Sequence, residues 1–266
     1  RDDVESRGLG DVYKRQIYKF DFGIPKDTME AIKQLKNNGH IPVVCTGRTR
    51  CMIYPEHLSP GFTHIVAGAG TYVEINGREA FLAEMKESEA RRVIDGFLRN
   101  NFVPVAEGKN YIYLGTDYSD LTKSNQHVLD VYRQNISHNI KTIDEPSLSV
   151  SKISAMFTNN SNPGGMIREF EKDYFIVNHN NNLLELIPKG FGKAKGIEKM
   201  INELNIAHKD TYAFGDSFND LDMLEYVNFG CAMGNSEDEI KKKAGYVTED
   251  FDKGGIANAL KRFGLI

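Results

Sequence analysis

Two aspartates set four residues apart, Asp216 and Asp220 in Gly215-Asp216-Ser217-Phe218-Asn219-Asp220, have the type and spacing to act on one point. The apolar run Tyr212-Ala213-Phe214 ahead of them predicts a buried strand that carries Asp216 to its tip, with Asp220 one helical turn further on. Paired hard oxygen donors suit Mg²⁺, which takes one or two carboxylates together with a phosphate oxygen. Asp and Asn also cap helices, so a capping loop is the structural alternative. A second strand, Ile41-Pro42-Val43-Val44-Cys45, runs into Thr46-Gly47-Arg48, which offers a hydroxyl, an approachable backbone N–H and a guanidinium, the donors a phosphate wants. Alone, that tripeptide is equally a plain strand-to-helix turn. Lys189, Lys193 and Lys195 then gather at the start of a helix marked by Ile197, Met200, Ile201 and Leu204. Lysine there opposes the helix dipole, so the cluster points either to an anionic ligand or to solvated side chains.

The elements that must position these residues follow from the same patterns. Met29, Ile32 and Leu35 predict a helix, with Asp27 and Glu30 spaced as a capping box and Gly39 as its stop. Helix followed by buried strand, repeated late in the chain, predicts right-handed crossovers, an α/β fold and ligands beyond the carboxyl ends of a mostly parallel sheet. Asn76-Gly77 between Thr71–Ile75 and Ala80–Leu82 predicts a hairpin. Between residues 78 and 187, a helix at 87–100, another at 164–172 and short strands near 103–105, 111–114, 153–157, 174–177 and 183–187 predict an inserted α+β domain. The core then occupies 17–77 and 188–266, with strands at 229–233 and 246–247, a second capping box at Ser236 and Glu239, and a closing helix at 255–263. Residues 1–16 lack either periodicity and read as a tail or as sequence foreign to the fold. The polar run Asn178–Asn182, with His179, either faces a substrate or forms a solvated hairpin.

Of 266 residues, 40% are hydrophobic and 26% charged, with a formal net charge of -4. This is globular composition, and without a Lys/Arg block it gives no footprint for nucleic acid. An anionic small molecule would then need local positive charge. Cys45, Cys51 and Cys231 lack metal-ligand spacing and fit free thiols in a reducing compartment. No apolar run approaches a membrane span and the opening lacks an apolar signal segment, so the expected location is cytoplasmic, with no membrane partner.

Taken together, Thr46-Gly47-Arg48 after one strand, a lysine before a helix, and Gly215-Asp216-Ser217-Phe218-Asn219-Asp220 after another resemble the haloacid dehalogenase (HAD) superfamily, closest to its Cof-type phosphatases. The resemblance covers about residues 24 to 266. It implies a Rossmann-like parallel-sheet core with an inserted α+β cap domain, and Mg²⁺-dependent hydrolysis of a small phosphorylated metabolite through an aspartyl-phosphate. It assigns Thr46, Gly47 and Arg48 to the substrate, Lys193 (with Lys195 as fallback) and Asn219 to the catalytic centre, and Asp216 and Asp220 to the metal. It also requires a nucleophile at the end of a first strand, in the pattern Asp-x-Asp-Gly-Thr, which this chain does not contain. Phe20-Asp21-Phe22-Gly23 is the nearest string and Asp11 a poorer one. The expectation is therefore that a native first strand, central in the sheet, is lost or replaced upstream of Ile17, leaving this chain with little or no turnover. A non-catalytic phosphoester-binding or regulatory protein of the same fold, or a phosphomutase, are the alternatives.

Overall fold

The computed structural model describes residues 23–179 and 182–266. The tail expected at 1–16 and the string Phe20–Phe22 lie outside them. The described residues divide into two compact units: 83–190 with Thr49–Met52, and 23–48, 53–82 and 191–266.

In the core unit the chain enters helix α1 (Lys26–Asn37) through Pro25, whose fixed φ suits a helix start. Pro25 is itself the N-cap, so the Asp27/Glu30 capping box does not form; the Asp27 carboxylate accepts from the neighbouring Thr28 N–H at 2.7 Å. Helix α1 buries Ala31 against Met233, Ile256, Ala257 and Leu260, and Ile32 against Val44 and Phe62. Strand β1 (Val43–Cys45) pairs in parallel with β2 (His64–Ala67), and β3 (Tyr72–Ile75) and β4 (Arg78–Leu82) extend that sheet antiparallel. Asn76 and Gly77 both have positive φ, 49° and 75°, as a two-residue hairpin turn of the favoured twist demands. Because that turn holds β4 against β3, residues 78–82 belong to the core sheet, and the units divide at 82/83 and 190/191 instead of the expected 77/78 and 187/188.

The other unit is an α+β module. Helix α2 (Glu87–Arg99) lays Ala90, Val93, Ile94 and Phe97 on a six-stranded sheet. Its strands are β5 (Phe102–Glu107), β6 (Ile112–Leu114), β7 (Ile140–Thr142), β8 (Lys152–Phe157), β9 (Tyr174–His179) and β10 (Leu183–Pro188), in the order β7-β6-β5-β8-β10-β9. Helix α3 (Lys123–Ile136) and strand β7 were not anticipated. The buried positions of α3 are Asn125, Val128, Leu129 and Ile136, and one of its inward residues is polar. Asn125 replaces apolar contact with two hydrogen bonds, donating to the carbonyls of Phe157 and Asn182 at 2.9 and 2.8 Å. Helix α4 (Pro163–Phe170) adds Met166 and Phe170 to the core under α2.

Back in the core unit come α5 (Lys193–Glu203), β11 (Tyr212–Gly215), α6 (Leu221–Tyr226), β12 (Phe229–Ala232), α7 (Asp238–Lys243), β13 (Tyr246–Val247) and α8 (Gly255–Arg262). Among the described residues, strands β11, β12 and β13 form a parallel three-stranded sheet. The Ser236/Glu239 capping box is absent: Glu237 caps α7 and the Ser236 hydroxyl donates to the Gly215 carbonyl at 3.3 Å. Among the described residues, no helix is long and apolar enough to cross a membrane.

Candidate active site

Strand β11 ends at Gly215 because the chain must fold back on itself there. A Cβ on Gly215 would sit 2.7 Å from the Asp220 Cβ, so glycine is what lets Asp220 return over the strand end. The Asp220 carboxylate then accepts from the backbone N–H groups of Asp216 and Ser217, at 3.0 and 3.1 Å, through one oxygen. Its other oxygen accepts from Lys193 Nζ at 2.6 Å. Lys193 is 1% exposed and Asp220 0%, and an ion pair so deep is stable only where its hydrogen bonds are complete.

Lys193 reaches that place because α5 approaches the strand tips closely. A Cβ on Gly196 would meet Val66 Cγ1 at 2.3 Å and the Gly70 Cα at 2.9 Å, so the first turn of α5 lies against the end of β2. Asp222, which the sequence reading did not single out, accepts from the Ala194 N–H at 3.0 Å and so satisfies one of the orphan donors at the start of α5. Burial pushes the Asp222 carboxyl above its ordinary value, against those backbone hydrogen bonds. The signal available for it was weak: an Asp inside a short helix. Lys195, the fallback, pairs with Glu198 on the exposed side of α5 and is not at the site. Lys189 precedes α5 by four residues.

The Thr46 loop is pinned from the other strand. Thr46 N–H donates to the Val66 carbonyl at 2.8 Å, Ala69 N–H to the Thr46 carbonyl at 3.1 Å and Gly68 N–H to the Arg48 carbonyl at 2.7 Å. Thr46 Oγ1 accepts from the Arg48 N–H at 3.1 Å. Gly47 is buried, and the Arg48 guanidinium lies 5.5 Å from the Tyr54 ring centroid. Cys45, the residue before Thr46, has its thiol pushed up to about 12 by burial; it feels Lys193, which opposes this, and Asp220 and Asp222, which add to it. The tips of β1 and β11 therefore converge on the Lys193–Asp220 pair.

Asp216 is 5% exposed, at the strand tip where it was expected. Asn219 accepts from the Ser217 hydroxyl at 2.7 Å, which fixes its amide within the loop. Among the described residues no group of three or more His, Cys, Asp or Glu is placed to hold a metal. The donors present are two buried carboxylates, which in kind and number fit Mg²⁺ completed by water and a phosphate. His179, in the other unit, is taken up by Glu185, its Nε2 lying 2.9 Å from the carboxylate.

The Thr46 loop, Asp216 and the Lys193–Asp220 pair thus lie at the ends of β1 and β11. A family model for haloacid dehalogenase-like hydrolases matches residues 20–260, and the chain belongs to that family. It is 28% identical over 252 residues to YkrA of Bacillus subtilis (strain 168), named only as a candidate phosphatase, covering 94% of this chain and 95% of the relative. It is 25% identical over 261 residues to the 5-amino-6-(5-phospho-D-ribitylamino)uracil phosphatase YitU of the same organism, covering 93% of each. A crystal structure of a hypothetical protein from Geobacillus kaustophilus superposes with a TM-score of 0.79 at 26% identity, covering 93% of this chain and 94% of that one.

Proposed function

We propose that this fold serves the Mg²⁺-dependent hydrolysis of a small phosphate monoester, a sugar phosphate or phosphorylated cofactor. The observation that carries this is the buried Lys193–Asp220 pair at the tips of β1 and β11, beside the Thr46 loop. Phosphoryl transfer is mainly positioning and charge neutralisation, and a lysine held in place before substrate arrives supplies both. Thr46 Oγ1, already accepting from Arg48 N–H, directs its own proton to a phosphoryl oxygen, and Gly47 and Arg48 add donors. Asp216 would hold Mg²⁺. Asp220 would join it, but its first task is to fix Lys193 and the loop amides. The metal would neutralise charge on the phosphoryl oxygens. A relative named for a phosphorylated ribitylamino compound supports the substrate class.

In the full reaction an aspartate oxygen attacks phosphorus while the ester P–O bond breaks and the alcohol leaves with a proton from a second acid. Water then attacks the acyl phosphate and releases phosphate, regenerating the carboxylate. The chain carries no Asp-x-Asp-Gly-Thr string to supply that pair. We therefore expect it to bind phosphate monoesters without turning them over, which also favours a binding or regulatory role as the second reading. Calorimetric titration with inorganic phosphate in Mg²⁺ should give saturable binding that Lys193→Ala removes and Lys195→Ala keeps, with p-nitrophenyl phosphate left intact. No binding by the unaltered chain would defeat the proposal. Mg²⁺-dependent hydrolysis would instead defeat the expected inactivity, and product analysis would then separate hydrolysis from mutase transfer.

A further inference from the structure

The N-cap of α5 is Gly192, which has no side chain to accept from the N–H groups of the first turn. Its backbone is extended, with φ 171° and ψ 166°, a conformation open to any residue, so backbone geometry does not account for the glycine. Contact does. A Cβ at this position would stand 2.3 Å from Asp222 Oδ2, and among the described residues only Asp222 has atoms within 4 Å of it. That same oxygen accepts from the Ala194 N–H at 3.0 Å. Ala194 is the second helical residue of α5, and its N–H is one of those that a capping Ser, Thr, Asp or Asn takes. Asp222 therefore fills the space, and makes the bond, of the side chain that Gly192 lacks.

The start of α5 is confined from a second direction. A Cβ on Gly70 would meet the Gly192 carbonyl oxygen at 1.9 Å and the Gly196 nitrogen at 3.2 Å, so the Gly192 peptide lies between Gly70 and Asp222. The other Asp222 oxygen accepts from the Met223 N–H at 2.8 Å, which fixes the carboxylate to the first turn of α6. Asp220, just ahead of α6, accepts from Lys193 Nζ. One short segment thus holds Lys193 at both ends. Asp220 takes the ammonium, and Asp222 takes the main chain at its root.

We propose that Asp222 is a positioning residue for Lys193, capping α5 across the fold so that the buried ammonium is held in one place against Asp220. A first turn without a capping partner leaves its N–H groups unsatisfied and opens more readily. Lys193 is the first residue of that turn, so any opening moves the root from which its long side chain reaches the site. A binding group present in its competent position only part of the time weakens apparent affinity by that fraction. The Asp222 carboxylate also lies at the positive end of the α5 dipole, where Lys193 and Lys195 are unfavourable. That the ammonium meets a phosphoryl group rests on the phosphatase reading; its placement by Asp222 does not.

The test uses the full chain and reads exchange of the Lys193 ammonium protons with water by NMR, beside the urea midpoint and calorimetric titration with inorganic phosphate in Mg²⁺. In Asp222→Ala that exchange should quicken by about fivefold or more, and phosphate affinity should fall by a similar factor. Asp222→Asn keeps an accepting oxygen and should stay within about twofold of the unaltered chain. Gly192→Ser added to Asp222→Ala sets a local cap in the vacated space and should restore protection. Made alone, Gly192→Ser should bring no gain, because Asp222 already fills that space. A lower urea midpoint with Lys193 exchange unchanged would mean that Asp222 only stabilises the fold, and overturns the proposal. So does failure of Gly192→Ser to restore protection, or an equal gain from it with Asp222 present. If Asp222→Ala does not fold, the double variant decides: Lys193 protected as in the unaltered chain supports the proposal, and Lys193 unprotected overturns it. Protection that follows Asp222 in a chain that binds no phosphate supports the positioning role and defeats the phosphatase reading.

Discussion

Lys193 and Asp220 tie stability and function to one contact. Removing one partner of a buried ion pair leaves an uncompensated charge, so Lys193→Met should cost roughly 3–5 kcal/mol, whereas Lys195→Ala, on the exposed side of α5, should stay within about 0.5 kcal/mol. The double substitution Lys193→Met with Asp220→Leu should recover only part of the loss, because Asp220 also accepts from the amides of Asp216 and Ser217. Thermal melts of the three variants check this ordering, and full recovery would mean those amide bonds contribute nothing. The residue types at the site were legible because strand tips followed by Gly-Asp and Thr-Gly-Arg are local patterns. Which lysine reaches the site was less so. Lys193 and Lys195 differ by two residues, about 200° around a helix, and only the packing of Gly196 on Val66 and Gly70 decides which faces inward. Asp222 escaped notice because its task is a tertiary hydrogen bond to Ala194.

At the scale of elements, the hairpin of β3 and β4 was readable since Asn-Gly satisfies a turn that few other pairs can. Gly77 has a φ of 75° with open space around its Cα, so the penalty for a side chain there is conformational and not steric. Gly77→Val should therefore cost about 1–2 kcal/mol, measurable as a lower urea midpoint, while Gly77→Asn should be milder. Helix α3 shows the opposite case, for an inward Asn125 hides the periodicity that reveals α2. In the α+β unit, Lys152 bridges Glu107 and Glu185 inside the sheet, at 3.3 Å from Glu107, and Glu185 also meets His179. Burial pushes the Glu185 carboxyl up, but Lys152 and His179 outweigh it and hold it below its ordinary value. A carboxylate depressed in the folded state contributes stability above its unfolded value, about pH 4.3, and loses it as pH falls through the folded one. Glu185→Gln should lower stability at neutral pH by about 1.5–3 kcal/mol and flatten the acid limb of the stability curve. An unchanged acid limb, followed by circular dichroism from pH 7 to low pH, would show that other carboxylates govern acid unfolding.

For the whole molecule, the division into an α/β core and an α+β insert could be read from the sequence, because the helix-then-strand rhythm breaks after the hairpin and resumes at α5. The grouping of the described core strands into β1 to β4 and β11 to β13 could not be read from the local patterns, which specify strands and leave their neighbours to long-range pairing. Ile197 packs against the clusters of both sheets and lines the space between them. Trimming it in Ile197→Ala should therefore lower the urea midpoint by the equivalent of about 2 kcal/mol, because the contacts it makes with both clusters are lost together, and an unchanged midpoint would show that the two clusters do not pack through this side chain.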